Sequence, residues 1–247
     1  MTDPDLIHGR SDGDLPTQTQ TLPFRVRIAS SEEDIYRAVA VRTQAYGRHV
    51  PGMELVLKDP EPDDYREDAV LLIAESKADG QVLGSLRLIT NARQPLHLEH
   101  EIELPVLFRG HRLLEAWRLT VLNGEPARMV APALYKSLFE LSVRSGIDYV
   151  LVAARPPVDR IYRSMQFKDA LDGKKMALSN TLNMPHGLYY IPVREAGTLW
   201  RDAKWPLYPF MALTRHPDIE IDHDVVRRRF QQVSLMNGGA TSCNITL

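Results

Sequence analysis

"LLEAWRLTV", Leu113 to Val121, decides how this 247-residue chain folds, because it sets a carboxylate and a guanidinium inside a run that otherwise belongs in a buried strand. Side chains alternate along a strand, so Glu115 and Arg118, three apart, face opposite sides unless a bulge inserts an extra residue. Upstream, "FRVRIAS" alternates as a half-buried strand does. "SSEEDIYRAVAVRTQAYGR" reads as an amphipathic helix capped by Ser30 or Ser31, with Glu33 and Asp34 at the positive end of its dipole. "DAVLLIAES" and "GQVLGSLRLIT" flank a "KADG" turn and read as a hairpin. Downstream, "ARMVAPALYKSLFELSVRSG" has helical spacing and ends on Gly146, "DYVLVAAR" is a buried-type strand, "PPVDRIYRSMQF" a short helix and "LYYIPV" a last strand. The order strand, helix, hairpin, strand, helix, strand, helix, strand predicts an α/β (α+β) fold, a mixed central sheet with helices on both faces. Residues 1–23, poor in large apolar side chains, read as a flexible tail, residues 24–197 as the folded domain and residues 198–247 as a C-terminal helical extension with a frayed end.

Thirty basic side chains against 32 acidic ones give a net charge of -2, so there is no global field to hold nucleic acid. The single cysteine, Cys243, permits neither an intrachain disulfide nor a thiolate metal cluster. The eight histidines show no metal-ligand spacing, so no metal is expected. The polar, acidic N-terminus lacks a signal-peptide pattern and no apolar run is long enough to span a bilayer, which points to a cytoplasmic protein.

The element order, together with "DRIYRSMQF", in which Tyr162 stands five residues before Phe167, resembles the GNAT-type N-acyltransferase fold. Arg42 and Tyr46 in the first helix, Asp64 and Asp68 before the hairpin, Arg87 in its second strand, and Glu115 and Arg118 in the next resemble the acyl-homoserine-lactone (autoinducer) synthases, a branch of that fold. Over roughly residues 25 to 195, and with its C-terminal segment, the chain looks most like the N-acyl amino acid synthases of the FeeM type. That resemblance implies an N-acyltransferase that takes a long-chain acyl group from an acyl carrier protein thioester and places it on the amine of an amino acid. No tightly bound cofactor is implied; acyl-phosphopantetheine on the carrier is the co-substrate. The alternatives are a lactone synthase using S-adenosylmethionine, an acetyl-coenzyme A dependent N-acetyltransferase, and a non-catalytic acyl-binding module.

Two departures bear on the substrates. The first-helix aromatic is followed by "HVPGMELVL", without the tryptophan of lactone synthases, and Asp64 and Asp68 stand four apart instead of three. "LNGEPARM" replaces the glycine-rich loop that cradles the pyrophosphate of coenzyme A, and its Pro126 removes a donor. A pantetheine arm carried on protein has no such pyrophosphate.

By the same resemblance, the strand that holds Glu115 parts from its neighbour to admit the thioester. Glu115 then either lies at the cleft, pairing with an arginine or drawing a proton from the amine through water, or forms a structural ion pair with Arg42 or Arg87. Arg42, Arg87 and Arg118 either clamp the acceptor's carboxylate or pair with Asp64, Asp68 or Glu115. Tyr162 is the general acid for the leaving thiolate or a packed core residue. A backbone N–H near Val121 and Leu122 meets the oxyanion. Between Val150 and Lys175 six basic side chains face three acidic ones; Arg155, Arg160, Arg163 and Lys168 suit an acidic carrier protein, or else are a solvated helix face. Arg227 to Arg229 suit the same carrier or a peripheral membrane contact during product release.

Overall fold

The computed structural model describes residues 18–124 and 127–231. The expected tail over residues 1–17, Pro126, Cys243 and the frayed C-terminal end lie outside the described residues. In chain order the elements are β1 (Gln18–Thr19), β2 (Phe24–Ile28), α1 (Glu32–His49), α2 (Met53–Val56), β3 (Ala69–Ser76), β4 (Val82–Thr90), α3 (His97–Glu101), β5 (Leu113–Val121) and α4 (Val130–Arg144). They continue with β6 (Tyr149–Ala154), α5 (Asp159–Ser164), β7 (Lys168–Asp169), β8 (Met176–Ala177), β9 (Pro185–Pro192), α6 (Ala196–Asp202), β10 (Thr214–Arg215), β11 (Ile219–Glu220) and α7 (His223–Phe230). The main sheet runs β11-β2-β3-β4-β5-β6-β9-β7, with β8 added to β9. Its β5–β6 and β11–β2 pairs are parallel and the other pairs antiparallel.

The local chemistry explains the elements. Ser31 caps α1 by accepting from the Asp34 N–H at 3.2 Å, and three acids occupy its first turn. Every residue of β4 is buried, which requires cover on both faces. On one face α4 presses Val130, Leu134, Leu138 and Leu141 onto Val70, Leu72, Leu86 and Leu88. On the other lie α1, with Ala38 and Val41 over Leu71 and Ile73, and the α3 segment, with Leu96 and Leu98 beside Trp117.

Residues 18–23, assigned to the tail by composition, are built into the fold: β1 pairs with β10, Leu22 is buried, and its N–H donates to Asp218 at 2.7 Å. The expected boundary at residue 197 falls inside α6, whose Trp200 is fully buried, stacks edge-on with Phe139 at 4.5 Å and donates to the Met165 carbonyl. Farther on, the buried Lys136 of α4 donates to the Phe210 and Thr214 carbonyls, fastening the segment before β10. Among the described residues no helix is long and apolar enough to cross a membrane.

His216 beside that segment packs against Phe210, ring centroids 4.1 Å apart and planes tilted by 39°, with neither ring nitrogen hydrogen-bonded. Burial, aided by the charge of Lys136, pushes its pKa down to about 4. The unfolded chain takes up this proton near pH 6.5 and the folded chain does not until about pH 4. Stability therefore falls as the pH drops through that window, by about 3 kcal/mol at its foot. Urea unfolding at pH 7.5 and pH 4.5 will measure the decline, and a His216→Phe variant should lack this component of it.

Candidate functional site

The strand quoted first carries a bulge, which lets Glu115 and Arg118 share a face. Opposite β4, Ser85 pairs with Thr120 but Arg87 pairs with Trp117, so β5 has one residue too many between them. Arg118 sits there at φ 59°, a left-handed backbone that costs a non-glycine residue about 1–2 kcal/mol. The kink turns Glu115, Trp117 and Arg118 toward the same face, the one covered by α1 and α3. Before it, the parallel β5–β6 ladder ends: Leu113, Leu114 and Glu115 pair with Tyr149, Val150 and Leu151, and no later residue of β5 pairs with β6. The two strands part at Glu115, and the slot opens toward their C-terminal ends.

The arginines meet carboxylates beside this slot. Arg42 of α1 grips Asp64 with two hydrogen bonds, 2.8 and 3.0 Å, and reaches Glu61 at 3.0 Å. Arg87 of β4 donates to Asp64 at 2.9 Å and Glu61 at 3.1 Å. Arg118 binds Glu61 through two hydrogen bonds, 2.7 and 3.0 Å. Glu61 is thus shared by all three guanidinium groups, and sequence reasoning missed it. Burial alone would raise its pKa, but the Arg118 hydrogen bond and the charges of all three arginines hold it below the carboxylate range. Asp64 is held down at about 2 against burial by Arg42 and Arg87. The turn Pro62–Tyr65 explains the meeting: Pro62 opens it, and residues three apart, Glu61 and Asp64, stack on one side and cap each other's backbone N–H. Glu-Pro-Asp-Asp in the sequence is that signal.

Asp68 does not join the three arginines. It is fully buried and takes two hydrogen bonds, 2.9 and 3.0 Å, from Arg66. Glu115 meets neither Arg42 nor Arg87: it accepts from the Leu98 N–H at 3.1 Å and faces His97 Nδ1 at 3.7 Å. Asn180 links the two clusters, since its carbonyl accepts from Arg118 at 3.1 Å and its amide lies 2.8 Å from His97 Nε2.

Several buried polar atoms of this network lack hydrogen-bond partners, a condition costing about 1–3 kcal/mol for each group. The donors are Arg42 Nε, Arg87 Nε and Nη2, Arg118 Nη1 and Trp117 Nε1; the acceptors are Glu115 Oε1 and Asn180 Oδ1; His97 Nδ1, facing Glu115 Oε1, is likewise without a hydrogen bond. Surplus guanidinium and indole N–H groups fit a carboxylate. Surplus carboxylate and amide oxygens fit an ammonium or amine.

Tyr162 of α5 lies on the α4 side of the sheet, packed at 5.3 Å from Phe167 and 6.1 Å from Tyr135. Burial pushes its phenol well above the usual value, and Tyr135 and Tyr46 add to the effect. Tyr46 belongs to α1 on the opposite side, where its ring lies 5.6 Å from the Arg118 guanidinium. Leu122 is not free for an oxyanion, because its N–H donates to the Leu83 carbonyl at 2.8 Å. By ladder alternation the Val121 N–H then points from the other edge, toward the slot.

Of the basic residues, Arg160 and Lys168 are exposed, Arg155 is half-buried at the end of β6, and Arg163 is exposed but leans on the Tyr189 ring at 5.1 Å. Val158 and Ile161 are exposed among them, and Arg155 follows the C-terminal end of β6, the strand that borders the slot. Arg227 to Arg229 do not share one face: Arg227 pairs with Asp224, half-buried Arg229 donates to the Ala69 carbonyl at 2.7 Å, and Arg228 is exposed.

The fold has solved counterparts. An N-acyl amino acid synthase from uncultured soil microbes, FeeM, superimposes with a TM-score of 0.55 at 15% identity, covering 72% of this chain and 96% of its own. The coenzyme A-dependent acyl-homoserine lactone synthase BjaI gives 0.54 at 16% identity, covering 83% and 98%. The acyl-homoserine lactone synthase LasI gives 0.52 at 16% identity, covering 70% and 93%. At such identities these likenesses establish the GNAT-like fold alone. By sequence comparison no curated protein matches the chain. The family model described as N-acyl amino acid synthase FeeM, however, matches residues 37–185, from α1 to the start of β9 and therefore the whole network above. With more than half of its length matched, the chain belongs to the FeeM family, N-acyltransferases that move an acyl group onto an amine.

Proposed function

We propose that the chain transfers a long-chain acyl group from an acyl carrier protein to the amine of an amino acid. The observation that carries this reading is the pairing of surplus buried donors on Arg42, Arg87, Arg118 and Trp117 with surplus acceptors on Glu115 and Asn180. A free amino acid presents a carboxylate and an amine a few atoms apart and answers both.

The chemistry follows from the arrangement. The pantetheine arm enters where β5 and β6 part, and its thioester carbonyl lies along the unpaired edge of β5, where the Val121 N–H stabilises the oxyanion. The deprotonated amine attacks, the C–N bond forms, and the C–S bond breaks as sulfur leaves with the electron pair. The Tyr162 hydroxyl, protonated at neutral pH, gives its proton to that sulfur. No covalent enzyme intermediate is required. The donor's protein part fits Arg155, Arg160, Arg163 and Lys168, with exposed Val158 and Ile161 between them, because carrier proteins present acidic helices with apolar residues.

The test supplies one long-chain acyl group as the carrier-protein thioester and as the coenzyme A thioester, with a panel of amino acids, and reads products by mass spectrometry. An N-acyl amino acid made faster from the carrier is expected. Reversing Arg160 and Lys168 to Glu should raise KM for the carrier about tenfold at low salt, less at high salt, and leave the coenzyme A substrate unaffected. Consumption of S-adenosylmethionine, or turnover of acetyl-coenzyme A alone, would overturn the reading.

A further inference from the structure

We propose that His97, oriented by Glu115, is the general base that receives the proton of the attacking amine. This rests on the acyl transfer proposed above and assigns its proton acceptor to a residue other than the carboxylate.

His97 is the first residue of α3, and its ring stacks on Trp117 with centroids 5.1 Å apart and planes at 27°. Trp117 belongs to the part of β5 that β6 has left, so the imidazole stands beside the slot. Glu115 is fully buried; its Oε2 is held by the Leu98 N–H and its partnerless Oε1 faces His97 Nδ1 at 3.7 Å. At that separation neither atom is hydrogen-bonded, but the charge of the carboxylate favours a proton on Nδ1 and leaves the lone pair on Nε2. The other edge agrees: Nε2 lies 2.8 Å from the Asn180 amide nitrogen, which donates to it. The loop carrying Asn180 is tied by its carbonyl to Arg118, so the imidazole and the guanidinium cluster keep a fixed relation. An amino acid whose carboxylate is held by that cluster brings its nitrogen toward Nε2 in place of the Asn180 amide.

Three carboxylates act on this imidazole: Glu115 from β5, Asp63 from the turn before β3, and Glu101 from α3, whose Oε1 lies 3.8 Å from Nε2. Arg66 acts on Glu115, and Arg118 lies beyond Asn180. Burial lowers the affinity of His97 for protons, but the three acids outweigh it and hold its pKa above the usual value. The proton balance is simple. The amine's proton passes to Nε2 as the C–N bond forms, the departing thiolate takes one from Tyr162, and solvent later restores both groups.

The experiment measures kcat/KM against pH for the wild type, His97→Gln, His97→Ala and Glu115→Gln, with melting temperatures alongside. The wild type should show an acidic limb above pH 6.5. His97→Gln should lose about 10²-fold at neutral pH, together with the limb. Glu115→Gln should shift the limb to lower pH, because removing the carboxylate lowers the imidazole's proton affinity. Added imidazole should restore turnover in His97→Ala, which a purely structural histidine would not allow. An unchanged limb in His97→Gln, or no imidazole rescue, would overturn the assignment while leaving the acyl transfer intact. A wild type that acylates no amine would overturn the function and this assignment together.

Discussion

Glu61→Ala is expected to lower the unfolding free energy by about 3–5 kcal/mol. The side chain is small and the turn that carries it lies near the surface, so the loss does not come from a cavity. It comes from charge. Arg42 and Arg87 are fully buried, Arg118 is 3% exposed, and all three donate to this carboxylate at 2.7–3.1 Å. Removing it leaves three desolvated guanidinium groups facing Asp64 and, at 3.7 Å from Arg87, Asp63. A cation stranded in the interior costs several kcal/mol even after water enters. Denaturant unfolding will measure the loss. A change under 1 kcal/mol would show that water already solvates the cluster, and that its arginines do not depend on Glu61. Partial recovery on adding Arg118→Met would locate the penalty in the unpaired charge.

Tyr162→Phe should reduce kcat by about 10²-fold while leaving the melting temperature within a few degrees. The ring packs on Phe167 and Tyr135, and phenylalanine keeps that packing. What disappears is the hydroxyl alone. If that hydroxyl protonates the departing sulfur, the deficit must shrink for thioesters whose thiols are stronger acids. Steady-state rates on an alkyl and an aryl thioester of the same acyl chain will show it. A loss below threefold, equal for both leaving groups, would mean that Tyr162 only packs.

Much of the architecture was legible from residue patterns. The Ser31 cap, the hairpin about Lys77 to Gly80, the buried strand from Tyr149 and the helix ending at Gly146 stand where the pattern put them, since each depends on groups within a few residues of one another. The β5 bulge was legible only as a condition: Glu115 and Arg118 could share a face if an extra residue intervened, and the register with β4 shows that it does. The partners of those residues were less legible. The stretch from Asp59 to Asp68 offers six acids, and residue type does not say which turn inward. Asp68 was grouped with Asp64, yet Arg66 two residues away captures it. Glu61 was overlooked, although Pro62 and Asp64 mark it as the start of a capped turn. His97 carried no motif at all; only the meeting of α3 with β5 places it against Glu115 and Trp117.

Residue patterns alone identified the six longer strands β2, β3, β4, β5, β6 and β9, the helices α1, α4 and α5, their order and the family resemblance, but not the short strands β1, β7, β8, β10 and β11 or the helices α2 and α3. Closure of the core, and not residue pattern, sets Glu61 against three arginines 19, 26 and 57 residues away, parts β5 from β6 after Glu115 and brings residues 18–23 into the fold. The reason is the range of the forces concerned. Propensity, capping and alternation act between neighbours along the chain. An ion pair or a parted ladder depends instead on sheet register and on which faces the helices cover, and those are set only when the whole core closes.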